Sequence, residues 1–153
     1  MKVRFWGFVL GILLFSAAAA NAQEVSGSIT GGSVAKGGSA RGTVVLSIPG
    51  GLHVNSNRPG NKYQIPTSIR LSAAGARVSR PTYPGGKNRK FQFSDTTINV
   101  YEGTVRFPFR VTVPSGFSGN TLRVRAVVRY QACTDEVCYP PRSKEITIAA
   151  RVR

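Results

Sequence analysis

The run Thr121-Leu-Arg-Val-Arg-Ala-Val-Val-Arg-Tyr130 continues directly into Gln131-Ala-Cys-Thr-Asp-Glu-Val-Cys-Tyr-Pro-Pro141. In the first part Leu122, Val124, Ala126, Val128 and Tyr130 alternate with polar or basic residues, the period-two pattern of a strand with one face buried. After the second part, Lys144 to Val152 alternates again, with Ile146, Ile148, Ala150 and Val152 on the inner face. Two such strands joined by a short segment predict a hairpin. Cys133 and Cys138, the only cysteines of the chain, then sit at its tip or upper edge, where a partner can reach them.

Working outward, Thr104 to Val113 places Val105, Phe107, Phe109, Val111 and Val113 on one face, and Pro114 to Asn120 supplies the turn. Thr43 to Ile48 points Val44, Leu46 and Ile48 inward, before Pro49-Gly50-Gly51 bends the chain into Leu52 to Asn55. Ile65 to Ala73 reads as a strand, Val78 to Tyr83 as a short one interrupted by Pro81, and Glu24 to Thr30 as an edge strand. Gly31 to Gly42 is rich in Gly, Ser and Ala and reads as a flexible loop; Pro84 to Lys90 reads as a basic turn. Gly32 and Gly37 have phosphate-loop spacing, but Gly38 stands where a lysine is needed and no helix follows. No stretch after Gln23 has a helical period. Seven to nine short strands separated by Gly/Pro turns predict an all-β sandwich in a single domain, residues 23–153.

Residues 1–22 carry the marks of a signal peptide. Lys2 and Arg4 precede an apolar run from Phe5 to Ala20, and Ala20-Asn21-Ala22 fits small-x-small cleavage before Gln23. The run is short for a membrane span, and no later stretch is apolar enough for one. The chain is therefore expected outside the cytoplasm, periplasmic or secreted and not membrane-spanning, where disulfides form and persist. It is also strongly basic: 21 Lys and Arg face 6 Asp and Glu, an excess of fifteen that falls to thirteen without Lys2 and Arg4. Such a chain is drawn to anionic surfaces. Export argues against nucleic acid, and the arginines are dispersed rather than gathered in one run. Arg106 and Arg110 on one strand, with Arg123, Arg125 and Arg129 on the next, are expected to share a sheet face.

The cysteine spacing alone leaves two readings open: a plain structural disulfide, and an exchangeable pair. Closing a six-residue ring removes little freedom from the unfolded chain, roughly 2 kcal/mol against about 4.7 for a hundred-residue loop. As a staple the pair is weak; as a reactive pair it is local and accessible. Exchange needs a thiolate, an accessible sulfur and a second cysteine to resolve the mixed disulfide. Asp135 and Glu136 disfavour a thiolate, whereas the basic surface favours one.

The segment Tyr130-Gln-Ala-Cys-Thr-Asp-Glu-Val-Cys-Tyr-Pro-Pro141 resembles the cysteine hairpin of the N-terminal domain of the thiol:disulfide interchange protein DsbD. Gly51 to Pro59, Ile65 to Ser68 and Val100 to Gly103 extend the resemblance in the same order. It implies an immunoglobulin-like β-sandwich in which Cys133 and Cys138 relay electrons in the periplasm, with Cys138 forming the mixed disulfide. Tyr130, Val137 and Tyr139 would flank the pair, and Pro140-Pro141 would stiffen the exit. The family's cap loop, an aromatic ring laid over the cysteines, would fall in Lys87 to Asp95, with Phe91 or Phe93 as the cap. Arg89 and Lys90 stand where the family carries acidic residues, and four residues rather than five separate the cysteines. His53 and Asn55 occupy positions that hold tyrosines in better-studied members.

The resemblance implies no cofactor and requires redox partners: a thioredoxin-like domain or membrane reductase as donor, and an oxidised periplasmic protein as acceptor. Whether such a module is a complete enzyme depends on those partners. Two other readings stand beside it. One is a binding module whose basic face holds an anionic surface, with an inert disulfide. The other is a metal-handling domain using Cys133, Cys138 and His53; with no methionine after residue 22, the usual soft helper ligand for copper is missing.

Overall fold

A computed structural model of the chain describes residues 23–60 and 62–153; the signal-peptide expectation lies outside these. The strands are β1 (Glu24–Ile29), β2 (Ser33–Val34), β3 (Ser39–Ser47), β4 (His53–Asn55), β5 (Ser68–Ala73), β6 (Arg77–Val78), β7 (Lys87–Arg89), β8 (Ile98–Tyr101), β9 (Thr104–Thr112), β10 (Thr121–Tyr130), β11 (Ala132–Cys133) and β12 (Arg142–Val152). A single 3₁₀ turn, Thr30–Gly32, is the only helical element among the described residues.

The fold is an all-β, immunoglobulin-like sandwich. One sheet runs β1-β3-β9-β6, the other β2-β12-β10-β5, and a smaller sheet, β11-β4-β8-β7, closes one end. Alternation builds the core. Val44, Leu46, Phe107 and Val111 from the first sheet meet Leu122, Val124, Ala126 and Val128 from the second, all fully buried. Each of the larger side chains among these contributes about 1.5–3 kcal/mol by leaving water. Tyr83 and Tyr101 pack edge-on against Phe107, with centroids 5.6 and 5.7 Å away. Where the sheets meet, β1 lies beside β12, and Ile148 Cδ1 occupies the space a side chain on Gly27 would need.

Three expectations change. Among the described residues twelve strands form rather than seven to nine, because pieces of two or three residues such as β6, β7 and β11 carry no readable alternation. The Gly31 to Gly42 stretch is not merely a loop: β2 pairs in parallel with β12, and β3 begins at Ser39. The arginines do not share one face. Arg106 and Arg110 project from β9 in the first sheet, whereas Arg123, Arg125 and Arg129 project from β10 in the second, so the two sets lie on opposite outer surfaces. The chain crosses between sheets at Pro114 to Asn120 instead of folding back on itself. Arg125 is held there by Glu145, with Nε–Oε1 2.5 Å and Nη2–Oε2 2.6 Å.

Candidate functional site

The site lies on the small sheet. β10 and β12 pair along their length, Thr121 with Arg151 through Tyr130 with Arg142, and residues 131–141 form the end of that hairpin. Ala132 and Cys133 turn aside to pair with Val54 and His53 of β4. Strand alternation then divides the side chains. Val54, Tyr101 and Ala132 face the main core. His53, Asn55, Val100 and Cys133 take the opposite face of the same strands.

Cys133 and Cys138 are bonded to each other, with Sγ–Sγ 2.03 Å and Cα–Cα 4.0 Å, and face each other across an isolated antiparallel bridge. Hydrogen bonds frame them on both sides: Tyr139 N donates to Ala132 O and Thr134 N to Val137 O, each at 2.8 Å. Thr134 Oγ1 accepts from Glu136 N and Val137 N at 3.2 and 3.1 Å, which holds the turn and leaves Asp135 and Glu136 exposed at its tip. The two cysteines differ in access. Cys133 is fully buried, whereas Cys138 is partly exposed between the exposed side chains of Val137 and Tyr139.

Beside Cys133 stands His53, 3% exposed. Phe91 stacks on its ring at 4.2 Å and 14°, and Phe93 stacks on Phe91 at 5.2 Å and 8°. Phe91 is buried with Ile98 and Val100 in a second, smaller apolar cluster, and Phe93 forms its outer edge. The Arg89 guanidinium lies 5.9 Å from the Phe91 centroid. Arg89 also pairs with Glu102 at 2.6 Å, as does Lys87 at 3.3 Å. The basic stretch Lys87 to Arg89 is therefore strand β7, paired with β8, not only a turn.

Burial pushes the His53 pKa below its ordinary 6.5; the Asp135 and Glu102 carboxylates pull it back only in part, and Arg89 adds to the lowering. The imidazole is held neutral near pH 7, and its Nε2 is buried without a hydrogen-bond partner. Asn55 serves the structure: its Nδ2 donates to Ile65 O at 3.1 Å and to Gln131 Oε1 at 3.0 Å. Tyr130 belongs to the main core, with its hydroxyl buried and its pKa raised by burial against an opposing pull from Arg142.

The candidate residues thus fall into two groups. Cys133, Cys138, His53, Phe91 and Phe93 form one connected row on one side of the small sheet, with Val137 and Tyr139 at its exposed rim. Tyr130 lies on the core side. Gln131 was not foreseen, yet it clasps the hairpin: its Oε1 accepts from Asn55 Nδ2 and from Ile65 N (3.3 Å), and its Nε2 donates to Tyr139 O (3.2 Å). Its place two residues before Cys133, hence on the same strand face, was the available signal. Among the described residues no group of three His, Cys, Asp or Glu side chains is placed to hold a metal ion.

Residues 31–150 match the family model of the thiol:disulfide interchange protein DsbD, N-terminal domain. The chain belongs to that family. Its fold is also that of the N-terminal periplasmic domain of ScsB from Proteus mirabilis, with a TM-score of 0.51 at 14% identity. That alignment covers 84% of this chain and 45% of the other. AvmM, which catalyses macrocyclization in alchivemycin A biosynthesis, aligns with a TM-score of 0.34 at 8% identity, over 84% of this chain and 89% of its own. That likeness is too distant to bear on function. No curated protein matches the chain. Membership joins this chain to a family of thiol–disulfide exchange domains, and its two cysteines, Cys133 and Cys138, are bonded to each other. Among the described residues no helix is long and apolar enough to cross a membrane.

Proposed function

We propose that this domain is a periplasmic dithiol–disulfide relay, passing electrons through Cys133 and Cys138 between partner proteins. The observation that carries this reading is the asymmetry of the disulfide: Cys133 is fully buried while Cys138 is partly open between two exposed apolar side chains. Exchange requires in-line approach to one sulfur while the other leaves. An incoming thiolate reaches Cys138, and Cys133 is the leaving and later the resolving sulfur.

Val137 at 52% exposure and Tyr139 at 46% give a docking partner apolar surface on either side of the reactive sulfur. The partners are a thioredoxin-like domain or membrane reductase as donor and an oxidised periplasmic protein as acceptor. Phe91, through its stack on His53, and Phe93 beyond it act as a shield over the buried side of the pair. The pair is a poor staple by magnitude, which also favours exchange.

The test is covalent trapping. With a thioredoxin-fold protein activated as its mixed disulfide with a small aromatic thiol, the Cys133→Ser variant should form a stable cross-link through Cys138. The Cys138→Ser variant should react at least tenfold more slowly. Equal trapping by the two variants contradicts the assignment of Cys138, and no trapping by either contradicts the relay.

A further inference from the structure

His53 is a buried titratable group beside the disulfide that exchange at Cys138 does not use. Its Nε2 is buried and unpartnered, Phe91 covers its ring, and Cys133 is its cross-strand partner. Directly opposed residues on one sheet face have Cβ atoms about 4.5–5.5 Å apart. A buried polar nitrogen without a partner is costly, and native proteins seldom leave one so. In the disulfide neither sulfur carries a proton, so Cys133 has nothing to donate. Reduction supplies the missing donor.

We infer that His53 is the proton acceptor for Cys133: the reduced thiol donates to Nε2, and the imidazole takes that proton when Cys133 must act as a nucleophile. The inference rests on the relay reading. In the charging direction, a thiolate of a partner dithiol attacks Cys138 Sγ. The Cys133–Cys138 bond breaks, and its electron pair leaves on Cys133 Sγ, which takes a proton from solvent by way of His53. The partner's second thiolate then attacks its own sulfur in the mixed disulfide and releases Cys138, which is protonated. The partner ends as a disulfide, and the pair has gained two electrons and two protons. In the discharging direction the Cys138 thiolate attacks an acceptor disulfide and frees one acceptor thiolate. Cys133 gives its proton to Nε2, and its thiolate attacks Cys138 Sγ. The internal disulfide reforms, the second acceptor sulfur leaves, and the imidazolium returns its proton to solvent or to that thiolate.

The charged groups acting on the ring are Asp135 from the hairpin turn, Glu102 from the end of β8 and Arg89 from β7. Burial outweighs the two carboxylates and keeps the ring neutral, the form that accepts a proton. A phenylalanine at this position would pack as well but could not accept.

The test is the equilibrium of the protein with dithiothreitol for wild type, His53→Phe and His53→Gln. Phe keeps the stack on Phe91 without an acceptor; Gln keeps an acceptor. A hydrogen bond present only in the reduced form predicts that His53→Phe moves the equilibrium about tenfold toward the disulfide, ~30 mV more negative for a two-electron couple. His53→Gln should fall between. Equal potentials for wild type and His53→Phe overturn the inference alone, whereas a wild-type disulfide inert to dithiothreitol overturns the relay and the inference with it. If His53→Phe does not fold, ¹⁵N NMR of the wild type decides. The Nε2 resonance should move to a hydrogen-bonded position on reduction, and an unmoved resonance overturns the inference.

Discussion

Cys133 and His53 are cross-strand partners on one face of the β11–β4 pair, so the buried member of the disulfide is the one beside the imidazole. Phe91 covers that histidine in turn, at 4.2 Å between ring centroids. The two sulfurs therefore have different surroundings, and the proposed relay gives them different roles. Cys138 is partly open to solvent, and Cys133 stays out of water.

If Phe91 is what keeps His53 dry, Phe91→Ala should return the His53 pKa toward 6.5. It should also cost about 3 kcal/mol, since a largely buried phenylalanine is lost from a small cluster. NMR titration of the single histidine and denaturant unfolding check the two parts. An unchanged pKa would mean that other groups desolvate the ring.

The lowered pKa of His53 also sets a pH dependence of stability. Its folded value lies below the unfolded 6.5, so between the two the unfolded chain binds the extra proton and stability rises with pH. The contribution is whole above 6.5 and is lost as pH falls through the folded value. Wild type should therefore lose more stability than His53→Phe as pH is lowered from about 7 toward about 5. Parallel curves for the two proteins would contradict this.

Removing the disulfide should disturb the fold little. A ring this short constrains the unfolded chain by roughly 2 kcal/mol. The reduced protein should remain a cooperatively folded sandwich, with Tm lowered by less than roughly 10 °C. Calorimetry with and without reductant measures it, and unfolding on reduction would make the bond a structural staple after all.

Gly42 faces Phe109 across β3 and β9, and a Cβ there would lie 2.3 to 2.7 Å from three carbons of the Phe109 ring. Gly42→Ala must displace that ring, at a cost of about 1–3 kcal/mol in unfolding experiments. A neutral result would show that Phe109 has a second place to go.

The long strands were legible because burial imposes a period of two over nine to eleven residues, as in β9, β10 and β12. The small sheet was not. Lys87-Asn88-Arg89 has no apolar residue, and it is a strand only because β8 presents a partner edge. The arginines of β9 and β10 looked like one face because adjacent strands usually pair, and here the chain crosses between sheets instead. At the site, the cysteines, their flanking residues and the aromatic candidates were nominated from the hairpin and its family resemblance, and their roles belong to the proposed function. The stack of Phe91 on His53 was not, since it joins segments far apart in the chain that meet only once β8 brings β4 and β7 together. Gln131 was overlooked for a simpler reason: its three hydrogen bonds depend on where β4 and the Ile65 loop come to rest.

The most direct test of the relay is the reduction potential of the Cys133–Cys138 pair, by equilibrium thiol trapping and mass spectrometry in dithiothreitol and glutathione buffers. Structural disulfides of exported proteins lie below about −300 mV, and exchangeable ones higher. The account predicts a value well above that limit, reached by rapid exchange through Cys138. A value below it, approached slowly from either side, would contradict the relay and leave Cys133–Cys138 a structural bond.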